Sequence, residues 1–403
     1  MHTRKYGWVV TLAGLGVNLI LGVLYAWSII SADLIDRLNW TATMTQVPYM
    51  VACVIFAFSM IPGGRIQDKF GPHLVLVLSA ILAGIGFVLS GVFLTVLGLT
   101  IFFGVVFGLA MGLGYAAPTP AAVKWFEKSK RGLISGIVVS GFGLAPIYIG
   151  PLTHYLITTL GIKATFMILG AGFFVVIMTL AQVIKNPPAG YQTGDPEPVV
   201  TTDDKQASQD DLSWKEVIRT RSFKLLWVMF FFGTFAGLLL IGQLSKIGLE
   251  HAGITTPFLL ISVYALFNFL GRIMFGGISD RLGRMKTLFL MFIMQVIVYS
   301  VFIFLETPLL LAGGVAIVGL TFGGMLTIFP AATADFFGLR HLGFNYGMLI
   351  TAWGVGGLIG PLLGGLVRDY TEVYLWSFII SAVLSGLGAL LTFFVRNPKK
   401  VGA

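Results

Sequence analysis

The sequence is poor in charge, in cysteine and in histidine. Charged residues make up 11% of its 403 positions, whereas hydrophobic residues make up 57%. A soluble domain carries about 25% charged residues, so the composition excludes a soluble globular protein and predicts an integral membrane protein. Cys53 is the single cysteine, which excludes a disulfide within the chain and leaves the redox compartment open.

Motifs for nucleotide-driven or metal-dependent chemistry are missing as well. The chain has no Gly-Lys dipeptide and hence no phosphate-binding loop of the Gly-x-x-x-x-Gly-Lys-Ser/Thr type, so ATP-driven transport by this chain alone is not expected. The five histidines are scattered, and no Cys/His cluster has metal-ligand spacing. We therefore expect no cofactor and no metal, and without a nucleophile–base pair we expect no enzyme activity.

Long apolar runs without alternation indicate membrane helices rather than a barrel. Twelve spans can be read, covering approximately residues 8–30, 45–64, 73–93, 95–121, 133–157, 163–184, 223–247, 256–278, 286–304, 308–333, 345–367 and 374–395. The longest segment between spans is rich in proline and acidic residues and reads as a linker with one short helix near Trp214. The predicted parts are a six-helix bundle of residues 1–184, a cytosolic linker of residues 185–222 and a six-helix bundle of residues 223–403.

Lys and Arg residues are concentrated on one side of the predicted membrane. Of the 26, Arg37, Lys163, Lys246 and Arg368 lie in or beside predicted outer segments and Arg272 lies within span 8, which leaves 21 in or beside cytosolic segments if the N-terminus is cytosolic. This bias follows the positive-inside rule and predicts that both termini are cytosolic. It also explains the formal net charge of +9, so we expect a lipid bilayer and no nucleic acid as partner.

Span 8 carries a single charge, Arg272, in an otherwise apolar run. Tyr264 and Asn268 precede it at steps of four, which places the three side chains on one helix face. An arginine at depth costs about 2.5–3.5 kcal/mol on insertion scales. Snorkelling to the interface is the structural alternative. Helical side chains lean toward the helix N-terminus, which here is toward the membrane centre, and this favours an anion-binding role.

Two charged segments repeat in the two halves of the chain. The segment 64–71 (GRIQDKFG) follows span 2, and the segment 276–284 (GGISDRLGR) follows span 8. Two six-helix repeats are typical of transporters whose halves rock about a site between them. The pattern Gly-x-x-x-Asp-Arg/Lys-x-Gly resembles the signature of the major facilitator superfamily, and the resemblance covers essentially the whole chain. It implies an all-α membrane protein with twelve transmembrane helices in two pseudo-symmetric bundles, and a cytosolic gate at Asp68, Lys69, Asp280, Arg281 and Arg284.

Residues that can share a cavity with Arg272 come from several spans. Three stretches resemble the oxalate/formate antiporter group and the monocarboxylate transporters, namely 125–136 (WFEKSKRGLISG), the span 8 arginine before 280–284 (DRLGR), and 345–353 (NYGMLITAW). The resemblance implies that Arg272 faces the central cavity, with tyrosines of spans 1 and 4 and a polar residue of span 2. The candidate substrate-binding residues are Arg272, Asn268, Tyr264, Tyr115, Tyr25, Gln46, Phe322, Leu326, Phe329 and Trp353.

One departure from the antiporter group bears on the substrate. Oxalate transporters carry a second cation, a lysine, where this chain has Trp353, and Leu326 replaces an aromatic residue. A dicarboxylate would leave its second charge unpaired in a dry cavity, at a cost of several kcal/mol. A monoanion such as lactate, pyruvate, formate or acetate therefore fits better than oxalate.

The coupling ion is less clearly marked. Animal monocarboxylate transporters place an aspartate one turn before the span 8 arginine, and here that position is Asn268. The remaining titratable candidates are His154, His251 and Asp33, all near predicted outer ends. From the resemblance we expect a secondary active, proton-coupled symporter of small monocarboxylates in a bacterial cytoplasmic membrane, functional as a monomer. The alternative is an oxalate/formate-type organic anion exchanger, which needs no titrating side chain.

Overall fold

The computed structural model describes residues 2–126, 131–188, 191, 212–256, 258–338 and 342–396. All regular secondary structure in these ranges is helical, as predicted. A helix satisfies its backbone hydrogen bonds within the segment, which a bilayer requires. We call the helices of residues 2–188 the N-terminal set and those of residues 212–396 the C-terminal set.

The N-terminal set contains two stretches whose helical winding changes partway. Its helices are α1 His2–Leu21, α2 Trp27–Leu38, α3 Ala42–Phe70, α4 Pro72–Val92, α5 Val96–Leu99, α6 Gly108–Ala116, α7 Pro118–Val123 and α8 Arg131–Val183. A 3₁₀ turn, Gly22–Ala26, joins α1 to α2, and a π-helix, Thr100–Phe107, joins α5 to α6. Such departures from α-helical winding are frequent at functional sites.

The C-terminal set contains the helix that carries Arg272. Its helices are α9 Trp214–Val217, α10 Arg221–Ala252, α11 Phe258–Leu282, α12 Arg284–Val301, α13 Pro308–Phe337, α14 Leu342–Leu349, α15 Thr351–Thr371 and α16 Leu375–Leu391. The short helix predicted near Trp214 is α9, which begins with a capping box formed by Ser213 and Glu216.

Ten helical stretches of the described chain are long and apolar enough to cross a membrane. One of them, Ile134–Val183, has 50 residues. As a straight helix it would measure about 75 Å, more than twice the hydrocarbon thickness of about 30 Å. Gly161 breaks it with φ 81° and ψ 165°, so this stretch holds two membrane-length parts. The predicted all-helical, multi-span membrane protein is confirmed.

The two repeated charged segments lie at helix ends rather than in loops. Residues 64–70 form the last turns of α3 and residues 276–282 the last turns of α11, so each connection shrinks to one glycine. Gly71 and Gly283 have φ 83° and 87°, a conformation that a side chain disfavours. The helices therefore extend past the predicted span ends, because charged side chains reach water without ending the helix. We call this end of the bundle the motif end.

α11 and α13 cross at short distance, which fixes Asn268 in the bundle. A Cβ added to Gly323 of α13 would lie 2.0 Å from the Asn268 carbonyl oxygen. A Cβ added to Gly271 of α11 would lie 1.9 Å from the Leu320 carbonyl oxygen. Small residues allow this approach between membrane helices. The helix that carries Arg272 is thus positioned by glycine contacts.

Polar contacts tie the two sets together at the end opposite the motif end. Lys246 of α10 pairs with Asp36 of α2. The Asp369 carboxylate of α15 accepts hydrogen bonds from the backbone N–H groups of Ala42 and Thr43, both at 2.9 Å. These are the first N–H groups of α3, which lack partners within the helix. This end of the junction between the sets is therefore closed.

Candidate functional site

Arg272 lies on α11 at the junction of the two helix sets. Its Nε donates to Asn268 Oδ1 at 3.0 Å, and Nη1 donates to the Val139 carbonyl oxygen of α8 at 3.2 Å. The two residues that the sequence places four positions apart are thus in direct side-chain contact. The bond to α8 anchors the guanidinium across the junction.

Gly143 of α8 leaves room for this group. A Cβ at that position would lie 2.9 Å from Asn268 Oδ1 and 3.7 Å from Arg272 Nε. A contact of 2.9 Å forces neighbouring atoms to shift in a close-packed interior. A glycine at this position therefore leaves the space that Asn268 and Arg272 occupy.

The charge of Arg272 is not balanced by the chain in the part that the structure describes. The residue is half-buried and forms no ion pair with a described carboxylate. Its hydrogen-bond partners are neutral oxygens of Asn268 and Val139. A buried cation is stabilised best by an anion with good hydrogen-bond geometry. The arrangement suits a ligand that brings a negative charge.

Aromatic rings from both sets form a wall beside the cation. The Tyr25 ring lies edge-on to Phe142 and Phe322, with centroids 5.1 and 6.1 Å apart. Tyr115 meets Phe142 in the same geometry at 5.5 Å. Such edge-to-face pairs are favourable. Tyr25 and Tyr115 both interact electrostatically with Arg272, so this wall and the guanidinium belong to one site.

Trp353 of α15 extends the aromatic wall. Its ring lies edge-on to Phe56 of α3 at 5.2 Å, and Phe56 stacks on Phe142 at 5.7 Å. Trp353 is 2% exposed. Trp353 therefore adds a buried ring to this wall.

Three of the predicted site residues hold buried hydrogen-bond donors that make no hydrogen bond of ordinary geometry with a described residue, although Tyr264 and Asn268 lie close enough to interact with each other. They are Tyr264 through its hydroxyl, Asn268 through Nδ2 and Trp353 through Nε1. Tyr264 reaches the wall through Phe322, with ring centroids 6.0 Å apart. Buried polar groups are nearly always paired, and an unmade bond costs about 1–3 kcal/mol. An acceptor group entering the site would satisfy such donors.

The described contacts of three other predicted site residues lie elsewhere. Gln46 Nε2 donates to the Gly242 carbonyl oxygen at 3.2 Å, across the sets. Phe329 stacks on Phe230 at 4.3 Å within the C-terminal set, and Leu326 packs against the hydrophobic core. Side chains one helical turn apart differ in depth by about 5.4 Å. Sequence spacing does not show the relative depth of side chains on different helices.

The sequence patterns do not single out Phe56, Phe142 and Tyr346. Phe56 and Phe142 complete the aromatic wall, and Tyr346 interacts electrostatically with Arg272 and Tyr115. Aromatic residues make up 13% of the chain, so one more ring in an apolar span carries little positional signal. Tyr346 had one signal, its place in the stretch 345–353.

Charged residues at the motif end pair within the C-terminal set. Arg284 donates to Asp280 at 2.6 Å and to Asp335 at 2.9 Å. These contacts link the ends of α11, α12 and α13. Arg281 is exposed. Arg284 is thus the residue that gathers this group of charges.

The matching segment of the N-terminal set shows a different kind of contact. The Lys69 ammonium lies over the Phe70 ring, 5.1 Å from its centroid. The Arg65 guanidinium lies 5.2 Å from the centroid of Phe344, across the two sets. The Asp68 side chain lies outside the described part of the structure. Cation–π contacts such as these contribute about 0.5–1 kcal/mol at exposed positions.

The three titratable candidates for proton coupling lie toward the end opposite the motif end. Asp33 pairs with Arg37 at 2.7 Å. The His154 ring lies 5.7 Å from that of Phe258, and His251 is at the end of α10. Phe258 begins α11, and the helix rises about 21 Å from there to the arginine of the site. The proton candidates are therefore spatially separate from the guanidinium.

Comparisons with known proteins agree over the length of the chain. The family model of the Major Facilitator Superfamily matches residues 7–308 and 249–403. An oxalate:formate antiporter of Oxalobacter formigenes is 31% identical over 396 residues, which cover 95% of this chain and 90% of that protein. Monocarboxylate transporter 14 of Homo sapiens is 22% identical over 471 residues, with 98% and 90% covered.

A solved structure shares the fold. A bacterial homologue of the human lysosomal transporter Spinster, in an inward-facing and unoccupied conformation, superposes with a TM-score of 0.71. The match covers 97% of both chains at 16% sequence identity. The suspected transporter branch and the expected lack of enzyme activity are confirmed by the family model and by the curated relatives. The chain belongs to the major facilitator superfamily, as a multi-pass membrane transporter.

Proposed function

We propose that the chain is a secondary active transporter of small monocarboxylates such as lactate and pyruvate, which bind through their carboxylate to Arg272. The supporting observation is the half-buried guanidinium at the junction of the two sets, without a carboxylate partner among the described residues. Guanidinium and carboxylate form two parallel hydrogen bonds. Asn268 Nδ2 and the Tyr115 hydroxyl supply further donors.

One negative charge suits the site better than two. Trp353 stands where the antiporter group carries its second cation, and it lies in a wall with Phe56 and Phe142. A dianion placed there would keep one charge without a partner, which costs several kcal/mol. The rings instead suit the short apolar body of lactate or pyruvate.

The proposed architecture has twelve membrane crossings in two pseudo-symmetric six-helix bundles, residues 1–184 and 223–403, joined by a cytosolic linker of residues 185–222. The ten long apolar helices of the described chain support this number. They give twelve crossings when the 50-residue helix is counted as two and the shorter helix α16 is added. The concentration of Lys and Arg supports cytosolic termini. We place the chain in the bacterial cytoplasmic membrane, active as a monomer, with the motif end cytosolic and the opposite end outer.

Transport proceeds by alternating access with proton symport. The pair between Lys246 and Asp36 and the contact of Asp369 with α3 close the outer end. A bound carboxylate neutralises Arg272, so the sets move without an uncompensated buried charge. The similarity to monocarboxylate transporters favours the proton as coupling ion, with Asp33, His154 and His251 as the candidate carriers.

A second candidate function is exchange of organic anions, as in an oxalate/formate antiporter. It is favoured by the 31% identity to the antiporter of Oxalobacter formigenes. Exchange requires no titrating side chain, because the returning anion balances the charge. The two functions differ in whether net uptake moves protons.

Counterflow in proteoliposomes tests the proposal. Vesicles are preloaded with unlabelled lactate, pyruvate, formate, acetate or oxalate, and entry of labelled lactate is followed together with lumenal pH. We expect the monocarboxylates to drive counterflow and oxalate to fail, and net uptake without preload to acidify the lumen. Counterflow driven by oxalate as fast as by lactate would contradict the assignment, and protein-free vesicles give the background.

A further inference from the structure

A cavity of about 200 Å³ lies between the two helix sets at the proposed outer end. The N-terminal set lines it with Asp33 and Asp36 of α2 and His154 of α8, and the C-terminal set lines it with Ser245 and Lys246 of α10. Two carboxylates, an imidazole and an ammonium group therefore meet there. Because both sets supply walls, the cavity changes when the outer ends of the two sets move apart.

Asp33 is the residue of this cavity whose hydrogen bonding is incomplete. Its Oδ1 accepts a hydrogen bond from Arg37 Nε at 2.7 Å, whereas Oδ2 is buried without a donor among the described residues. The side chain is 12% exposed. Low-dielectric surroundings penalise a charged carboxylate, and an unpaired buried oxygen adds to this cost. A proton on Oδ2 makes the group neutral and relieves the penalty.

In the described part of the structure, the neighbouring charged groups donate no hydrogen bond to this oxygen. Arg37 is engaged by Oδ1 of the carboxylate, and Lys246 pairs with Asp36. His154 faces the cavity from α8 and interacts electrostatically with Asp33. Imidazole is the side chain that exchanges protons near neutral pH. His154 therefore lies where it can pass protons between the outer solution and the carboxyl group.

We propose that Asp33 is the proton-binding site of the transporter, with Oδ2 as the protonated atom and His154 as the relay. The inference rests on the proposed function and names the group that carries its proton. In this step a hydronium ion or a protonated His154 gives its proton to Oδ2, and water or neutral imidazole remains. No other bond forms or breaks.

Protonation and outer closure favour each other at this position. When the two sets separate, water solvates both oxygens and the charged carboxylate is stable. When they close, Oδ2 loses water without gaining a donor, so closure shifts the carboxyl group toward the neutral acid, against the ion pair with Arg37. By reciprocity, the protonated group favours the closed outer end. If the outer end closes only after Asp33 is protonated, each transport cycle carries one proton together with the substrate.

One hydroxyl pair joins the cavity wall to the chain segment that carries Tyr25. Ser245 lines the cavity, and its Oγ lies 3.0 Å from Ser28 Oγ across the two sets. Ser28 follows Tyr25 by three residues, which is about one helical turn. Tyr25 interacts electrostatically with Arg272.

The substitution Asp33→Asn separates proton coupling from substrate movement. The full-length protein in proteoliposomes is tested for lactate exchange at equal pH and for net uptake with a lumenal pH indicator. We expect the variant to keep exchange and to lose proton movement and pH-driven accumulation. Glu372→Gln, at an exposed acid outside the cavity, serves as the matched control and keeps both.

Two outcomes of this experiment would overturn the proposal. One is a proton-to-lactate ratio in Asp33→Asn equal to that of the wild type. The other is joint loss of exchange and accumulation at matched expression, since Asp33 is then required for folding or movement rather than for coupling.

Outer accessibility tests the same site without any substrate. In Cys53→Ser protein, a cysteine introduced by Ile157→Cys, at a position 3% exposed in the cavity wall, reports opening to a membrane-impermeant maleimide. The labelling rate with Asp33 is divided by that with Asp33→Asn at each pH, which cancels the titration of the thiol.

We expect this ratio to rise from acidic to alkaline pH, because deprotonated Asp33 disfavours closure. A ratio independent of pH would overturn the assignment of Asp33. If the wild type carries no monocarboxylate, the proposed function fails, while the labelling ratio still decides whether Asp33 is the proton site.

Discussion

Asp369→Asn should loosen the outer closure by a measurable amount. The Asp369 carboxylate accepts one hydrogen bond per oxygen, from Ala42 and Thr43, at 2.9 Å each. Asparagine keeps a single acceptor and loses the charge at the N-terminus of α3. A charge at a helix N-terminus contributes about 0.3–1 kcal/mol, and a hydrogen bond to a charged group about 1.5–3 kcal/mol.

Solvent reduces this contribution, because Asp369 is exposed. Surface ion pairs are worth about 0–1 kcal/mol, and we expect a net loss of about 1 kcal/mol for the closed state. A change of this size corresponds to about a fivefold rise in the fraction of molecules open to the outside.

Cysteine labelling measures this shift directly. In the Cys53→Ser, Ile157→Cys protein, the initial rate of reaction with an impermeant maleimide should rise about fivefold on Asp369→Asn. Glu372→Gln, which removes an exposed charge three residues further along, is the matched control and should leave the rate unchanged. An unchanged rate in Asp369→Asn, or an equal rise in the control, would refute the assignment of Asp369 to the outer closure.

Three further substitutions test the site and its scaffold. Gly143→Ala places a Cβ 2.9 Å from Asn268 Oδ1, and this overpacking should destabilise the site by about 1–3 kcal/mol and raise the lactate KM in uptake assays. Gly136→Ala, on the same helix with nothing within 4 Å, should not change KM. Trp353→Lys should add a second cation and raise oxalate counterflow relative to lactate counterflow, whereas Trp353→Leu should not. Equal oxalate transport by the two variants would contradict the claim that the lack of a second cation disfavours a dianion. Gly323→Ala places a Cβ 2.0 Å from the Asn268 carbonyl oxygen and should lower the thermal midpoint of the purified protein, unlike Gly313→Ala of the same helix, which meets nothing within 4 Å.

The sequence predicts best what a single helix determines. Asn268 and Arg272 share a helix face because of their spacing, and the structure joins them by a hydrogen bond. The transporter family also follows from local patterns, since the repeated segments at Asp68 and Asp280 lie next to span ends. Periodicity and motif spacing are properties of neighbouring residues and need no tertiary information.

Contacts between helices are what the sequence leaves undetermined. Val139 accepts a hydrogen bond from Arg272 through its backbone carbonyl, which no side-chain pattern marks. Gln46 donates to the Gly242 carbonyl oxygen of the other helix set, a contact that the sequence does not mark because the depth of one helix relative to another depends on glycine-mediated packing. The unsatisfied oxygen of Asp33, in a cavity lined by both helix sets, is likewise a property of tertiary packing that the sequence does not show.

The most direct test of carboxylate binding at the guanidinium is lactate uptake by Arg272→Lys. Lysine keeps the charge but loses the planar fork that holds a carboxylate through two hydrogen bonds. At matched expression we expect uptake to fall to near background, while Arg221→Lys, at the exposed arginine that begins α10, retains it. Wild-type uptake by Arg272→Lys would contradict the assignment of this residue as the substrate anchor.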